Sequence, residues 1–319
     1  MILAQGLDTR FCDVSHRATG GFGSVLVGKD TKHGNRMTAL KHTKINESGI
    51  SSDAWREVLY MRAFRHDNVM TLIDCGVYGN SIVLFMEYSD EDLSTFWRRQ
   101  PEIGVEKRKR IISHISNGIL YMHSQHVCHR DLKCTNVLVN RGTVFKVCDF
   151  GSSRHMSVEN GRCLSHVPTT MWMRAPETLI GANDDYTYSI DVWAIGCMWL
   201  ELILRNSPFP GRVDSEYDQL IYIMKICGTP TPSTWPGIYM LPRYATYWPS
   251  FKSKLKSLIP DDSEYAILER ALCLYPCDRI SPRKLVSELH DDAKPSKFGK
   301  QTAMQKLFLG PGSDHPDHP

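Results

Sequence analysis

The sequence predicts an α+β architecture of two lobes: a small, sheet-rich one with one main helix, then a larger, mostly helical one. Three observations carry this expectation. β-branched and aromatic runs between turn residues crowd positions 10–87, helical apolar spacing takes over after Glu91, and 319 residues suit about two units of roughly 150.

In the first lobe, FCDVSH, GSVLVGKD, MTALKHTK and SIVLFMEY read as strands. One helix interrupts them: Ser52, Asp53 or both can cap it, and Ala54, Val58, Leu59, Met61 and Ala63 supply apolar positions over the next turns. Over 105–125, Ile111, Ile112, Ile115, Ile119, Leu120 and Met122 recur at helical spacing, and further helices fit 189–205, 215–227 and 263–273. The expected divisions are an extension at 1–9, the small lobe at 10–88, the large lobe at 89–292 and a tail at 293–319. The tail is polar and basic, ends in SDHPDHP, and lacks the apolar periodicity to bury itself, so it reads as disordered and its last histidines as solvated.

Apolar residues at 42% and charged ones at 23% are the balance of an ordinary globular protein, which excludes a collagen or a mini-protein scaffold. The net charge is only +3, so no direct nucleic-acid binding is expected without a local basic cluster. The most apolar run, 192–204, falls short of the roughly 20 residues a bilayer demands, and no membrane association is expected. MILAQGLDTR does not read as a secretion signal, and Ile2 excludes myristoylation. Ten cysteines without a CxxC pair read as reduced thiols of an intracellular protein, with nucleus and cytoplasm both open.

Chemistry concentrates in three places. Ala18-Thr19-Gly20-Gly21-Phe22-Gly23-Ser24-Val25 lies between strand-like runs; its glycines would let amides approach a polyphosphate, although a tight hairpin without a ligand explains such a turn equally well. Lys41, on the next-but-one strand, sits in an otherwise apolar run where an unpaired ammonium is costly. Glu57 offers it one anionic partner and a nucleotide phosphate would offer another; a lysine snorkelling to the surface is the plain alternative. The second place is the polar loop His129-Arg130-Asp131-Leu132-Lys133-Cys134-Thr135-Asn136. Asp131 can accept a proton from an alcohol, Lys133 can neutralise a phosphoryl oxygen and Asn136 can ligate a divalent metal, a set suited to moving phosphate onto a hydroxyl. Third, Asp149 in Val147-Cys148-Asp149-Phe150-Gly151 offers the carboxylate that a hard cation such as magnesium requires.

Taken in order, Gly20 and Gly23, Lys41, Glu57, HRDLK at 129–133 with Asn136, DFG at 149–151 and APE at 175–177 resemble the motif set of the eukaryotic protein kinases. Asp191-Val-Trp-Ala-Ile-Gly is similar to the family's central large-lobe helix, and Arg279 to the arginine that pairs with Glu177. The resemblance implies ATP and Mg2+ in a cleft between the lobes and a protein substrate whose serine or threonine takes the γ-phosphate, Lys133 favouring these over tyrosine. Asp131 would orient the hydroxyl, Lys41 would hold the α- and β-phosphates, and Asn136 with Asp149 would hold the metal. Ala18, Gly20, Gly21, Gly23, Val25, Ala39 and Leu138 would surround the nucleotide, with Met86 as gatekeeper beside the adenine, Glu87 to Ser89 as hinge and Asp92 at the ribose.

Within the family, Thr170-Met-Trp-Met-Arg-Ala-Pro-Glu177, Ser207-Pro-Phe-Pro-Gly211, Ile226-Cys-Gly-Thr-Pro230 and Leu241-Pro242-Arg243-Tyr244 resemble the cyclin-dependent, proline-directed group. Ser51-Ser-Asp-Ala-Trp-Arg-Glu57 is similar to the PSTAIRE-type helix that cyclins grip, without its proline, which implies a cyclin-like regulatory subunit and a cell-cycle role. Arg174 and Thr169 would shape a pocket for a proline after the phosphorylated residue, and Arg56, Arg130 and Arg154 would converge on a phosphate carried by Ser165. The departures are Ala18 for the first loop glycine, Arg17 for the usual apolar residue before it, Cys134 for the proline after HRDLK, and Pro168 and Thr169 for two small apolar residues. A catalytically weak or dead scaffold binding the same partner is the alternative; Lys41, Asp131, Asn136 and Asp149 stand against it. A mitogen-activated-type kinase would carry Thr-x-Tyr where Ser165-His166-Val167 stands. Cys148 is either a small buried hydrophobe or, if Lys41 lowers its pKa, a reactive thiol at the back of the ATP pocket.

Overall fold

The computed structural model describes residues 7, 9–20, 23–47, 49–156, 170–181, 186–210 and 215–289. Gly21, Ser165, Pro168, Thr169 and the tail lie outside the described residues. β1 (Phe11–Gly20), β2 (Gly23–Asp30), β3 (Arg36–Lys44), β4 (Leu72–Tyr78) and β5 (Ser81–Glu87) form an antiparallel sheet in the order β1-β2-β3-β5-β4, with α1 (Ser52–Ala63) between β3 and β4. Period-2 alternation gives this sheet two apolar faces. Val83 and Phe85 turn one way, into a small core with Phe11, Leu26, Leu40 and Leu7, the last being fully buried although it precedes residue 10. Ile82, Leu84 and Met86 turn the other way, into the large core that α1 joins through Val58 and Met61.

β4 was not among the strands read from the sequence. Polar Asp74 and unbranched Gly76 interrupt its apolar pattern, and a register shift against β5 between Leu72 and Asp74 breaks the period. The cap of α1 also differs: Ser51, not Ser52 or Asp53, takes the position, its Oγ accepting from Ala54 N at 3.2 Å. The capping oxygen must reach the N2 or N3 amide, which Ser51 does, while Asp53 falls in the first turn and complements the helix dipole.

The helical lobe follows as β6 (Glu91–Asp92), α2 (Leu93–Arg99), α3 (Val105–Ser124), β7 (Val127–Cys128), β8 (Val137–Asn140), β9 (Val144–Val147), β10 (Arg154–His155), α4 (Pro176–Ile180), α5 (Ser189–Leu204), α6 (Glu216–Cys227), α7 (Leu255–Leu258), α8 (Asp262–Ala271) and α9 (Pro282–Leu289). α5 is buried on every side from Ile190 to Leu202, which is why its sequence is apolar all round. It is the axis of this lobe. No helix among the described residues is long and apolar enough to cross a membrane.

The sheet-rich first part and helical second part match the expected class, and so does the pairing of Arg279 with Glu177. The guanidinium donates to both carboxylate oxygens, at 2.7 and 2.9 Å, inside the core, and also to the carbonyl oxygens of Ser189 and Cys273. Removing one partner would leave an uncompensated buried charge. Arg279→Met is expected to cost about 3–5 kcal/mol in chemical denaturation, and Arg279→Met with Glu177→Met to recover most of it. A single-variant loss below about 1 kcal/mol would contradict the role given to this pair.

Candidate functional site

The polar loop after β7 is irregular, and a carboxylate from α5 holds it. Asp191 accepts from the main-chain N–H of His129 at 2.8 Å and of Arg130 at 2.9 Å, and from His123 Nε2 at 2.8 Å. Burial alone would push its pKa up, but the hydrogen bond and charge of His123 and the amide of Arg130 hold it at about 2. His123, Cys128 and Asp191 bring metal-ligand atoms within 4.8 Å of one another, yet the thiol also donates to Asp191 Oδ2, so the donors are spent on a hydrogen-bonded cluster.

Held in this way, the loop presents Asp131 to a cleft of about 280 Å³ lined by Lys41, Glu57, Asp131, Lys133, Asp149 and Thr170. Asp131 is at the centre of the bonding. Its Oδ1 accepts from Thr170 Oγ1 at 3.0 Å and Thr170 N at 3.2 Å; its Oδ2 accepts from Lys133 Nζ at 2.9 Å and Asn136 Nδ2 at 3.2 Å. Across the cleft, Lys41 Nζ lies 2.6 Å from Glu57 Oε1 and 3.5 Å from Asp149 Oδ1. Burial disfavours the ammonium, but the charges of Glu57 and Asp149 more than reverse this and raise its pKa, so it stays a cation. Asp149 adopts φ 66°, and Phe150 after it is fully buried, its ring 5.4 Å from Phe64 beyond the end of α1 and 5.8 Å from His129. Thus Lys41, Glu57, Asp131 with Lys133, and Asp149, from four separate segments, line one cavity, which Asn136 adjoins through Asp131.

The sequence also matches the family model described as the protein kinase domain, over residues 17–290. The chain belongs to the protein kinase family. It is a phosphotransferase whose substrates are proteins, and kinases of this family generally use ATP and magnesium. The donors of this kinase suit such an ion: Asp149 offers a partly exposed carboxylate, and Asn136, its amide nitrogen turned to Asp131, offers the amide oxygen.

The residues expected around a nucleotide lie on paired strands. Val25 faces Lys41 across β2 and β3, Ala39 faces Met86, and Leu138 on β8 faces Asp92. Ala18 faces Val25, and Gly20 faces Gly23 where the loop closes. Gly23 has no alternative: at φ 142° a Cβ would stand 1.8 Å from the carbonyl oxygen of His42. The side chains of two of these residues also bond within the protein. Both Asp92 oxygens accept from Thr95, N and Oγ1, so the carboxylate expected at a ribose caps α2. The Glu87 carboxylate binds Lys146 Nζ at 2.7 Å and Thr71 N at 3.1 Å, tying the hinge to β9, and Ser89 after it is half-buried.

Arg56, Arg130 and Arg154 come close enough that burial and the charges of the other two lower the Arg56 pKa. Arg56 donates to Gly151 O at 3.0 Å and pairs with Asp53, Arg130 donates to Ser152 O at 2.7 Å, and Arg154 to Ser153 O at 3.0 Å. Arg174 pairs with Glu216 at 2.7 Å, and the same carboxylate binds Arg243. Sequence reasoning missed Thr170 as a member of the site, because nothing local marks a hydroxyl that bonds 39 residues back. It also gave Cys148 a second reading that the structure overturns: burial, then Asp149, raise this thiol's pKa and outweigh Lys41. At pH 7.5 iodoacetamide is expected to modify exposed Cys12 and Cys277 and to spare Cys148; a Cys148 adduct forming as fast as that on Cys12, by mass spectrometry, would contradict this.

Proposed function

We propose that this kinase is an intracellular enzyme of the cyclin-dependent type, which uses ATP and magnesium to phosphorylate serine or threonine followed by proline. The observation that carries the reading is the bonding of Asp131. An aliphatic hydroxyl, that of Thr170, already lies at hydrogen-bond distance from its carboxylate with the Lys133 ammonium alongside. A substrate hydroxyl held in the same manner is oriented by Asp131, and Lys133 neutralises charge on the phosphoryl oxygens as they approach. Lys41, kept in place by Glu57, aligns the α- and β-phosphates. Asn136 and Asp149 would hold the magnesium ion, whose chemistry when bound would be positive charge for the phosphates and leaving group.

Regulation follows from α1. Its outer face carries Trp55, 49% exposed, while its inner face carries Glu57, so a cyclin-like subunit pressing on residues 51–58 acts on the Lys41 pair. A phosphate on Ser165 would give Arg56, Arg130 and Arg154 a shared anion. Arg174 supports the proline preference by its position before Ala175-Pro176-Glu177.

Wild-type protein with Mg-ATP on an arrayed peptide library is expected to label serine and threonine, favouring those followed by proline. Asp149→Asn should lower labelling at least about a hundredfold with little change in melting temperature. Lys41→Met should lower it similarly and also melt earlier, because buried Glu57 loses its ammonium. Near-wild-type turnover by either variant refutes the assigned roles; no preference after the phosphorylated residue refutes proline direction alone.

For the switch, Ser165→Ala and singly phosphorylated wild-type protein are compared, each with and without the cyclin-like subunit captured from extract. Phosphorylation is expected to raise turnover at least about tenfold through the arginines. Equal activity of the alanine complex and the phosphorylated complex would refute the three-arginine switch.

A further inference from the structure

The roof and floor of the nucleotide slot belong to different lobes, and one side chain joins them. On β1, His16 faces Leu26 and Ala18 faces Val25, consecutive partners for residues two apart, so Arg17 is the extra residue of a β-bulge. A bulge re-aims the side chain it carries. The Arg17 guanidinium crosses to the linker after β5 and donates to the carbonyl oxygen of Asp90. That acceptor is anchored to the helical lobe twice: Asp90 N donates to Val139 O at 3.0 Å, and the Asp90 carboxylate accepts from Arg141 N at 2.6 Å. Both ends adjoin residues assigned to the nucleotide: Ala18, which faces Val25, follows Arg17, and Leu138 precedes Val139.

We propose that Arg17 is a positioning residue of the nucleotide site, a strap across the open edge of the cleft that sets how fast nucleotide passes in and out. The proposal rests on the nucleotide reading of this cleft. Both ends of the strap are protein atoms, so it draws no strength from the nucleotide. Releasing it therefore adds the same barrier to binding and to dissociation and leaves their ratio unchanged. No apolar side chain at position 17 could donate to a carbonyl, and a charge-assisted bond is stronger than a neutral one.

Stopped-flow measurement with a fluorescent N-methylanthraniloyl-ADP and magnesium, on the full chain, separates the outcomes. Arg17→Met is expected to raise association and dissociation rates together, about fivefold, with Kd within about twofold and an unchanged melting temperature. Arg17→Lys, whose ammonium can still donate, should stay within about twofold of wild type in both rates. Asp90→Ala, which frees the acceptor peptide from Arg141, should raise both rates in the same ratio as each other. Unchanged rates in Arg17→Met and Asp90→Ala overturn the strap. So does a weaker Kd at an unchanged association rate, for then the guanidinium touches the nucleotide itself. If the wild-type protein fails to bind the probe, the nucleotide reading falls and the strap with it, so the wild-type trace tells the two failures apart.

Discussion

The carboxylate of Asp191 at the start of α5 receives the amides of His129 and Arg130 and the ring of His123, all inside the core. Arg130 stands at φ 70°, a left-handed conformation that costs an L-residue roughly 1–2 kcal/mol. A loop of this shape has no sheet or helix of its own to satisfy its N–H groups. Ionised to about pH 2, Asp191 offsets both burdens with charge-assisted bonds, and the orientation of Asp131 one residue later depends on it.

From this anchor, order passes to the sheet through packed rings. His129 donates to Cys148 O at 3.0 Å and sits edge-on to Phe150; Phe150 meets Phe64, which follows α1; and α1 carries Glu57 to Lys41 on β3. The rings and Glu57 are buried and closely packed, so displacement of α1 is felt at Phe150 and displacement of Phe150 at the loop that carries Asp131. Cleft geometry is in this sense a property of the interface between the lobes. Neither lobe carries it alone.

Elements with strong periodicity were legible: α3, α5, α6 and α8 begin and end within two residues of the spans expected from apolar spacing. β4 was not, because Gly76 and a broken register hide its alternation. Charged residues in apolar runs, Lys41 above all, announced the site, since burial of an ammonium requires partners. Side-chain choices among several acceptors could not be read in the same way. Glu87 bonding Lys146 and Thr170 bonding Asp131 depend on distances between segments far apart in sequence, Asp92 is taken up by a local helix cap to Thr95, and the thiol of Cys148 answers to its burial more than to its neighbour's charge.

The left-handed backbone at Arg130 and Asp149 also limits which sequences can carry this fold. A β-branched side chain cannot adopt φ near 70° without crowding its own carbonyl, so valine, isoleucine and threonine are shut out at both positions on steric grounds, before any question of charge. Glycine meets no such barrier, and asparagine, whose side chain can bond its own backbone, meets a smaller one. A lineage of this kinase that lost its chemistry could therefore drift toward asparagine or glycine at these two sites while keeping its shape, and its backbone would preserve the outline of a cleft that no longer turned over.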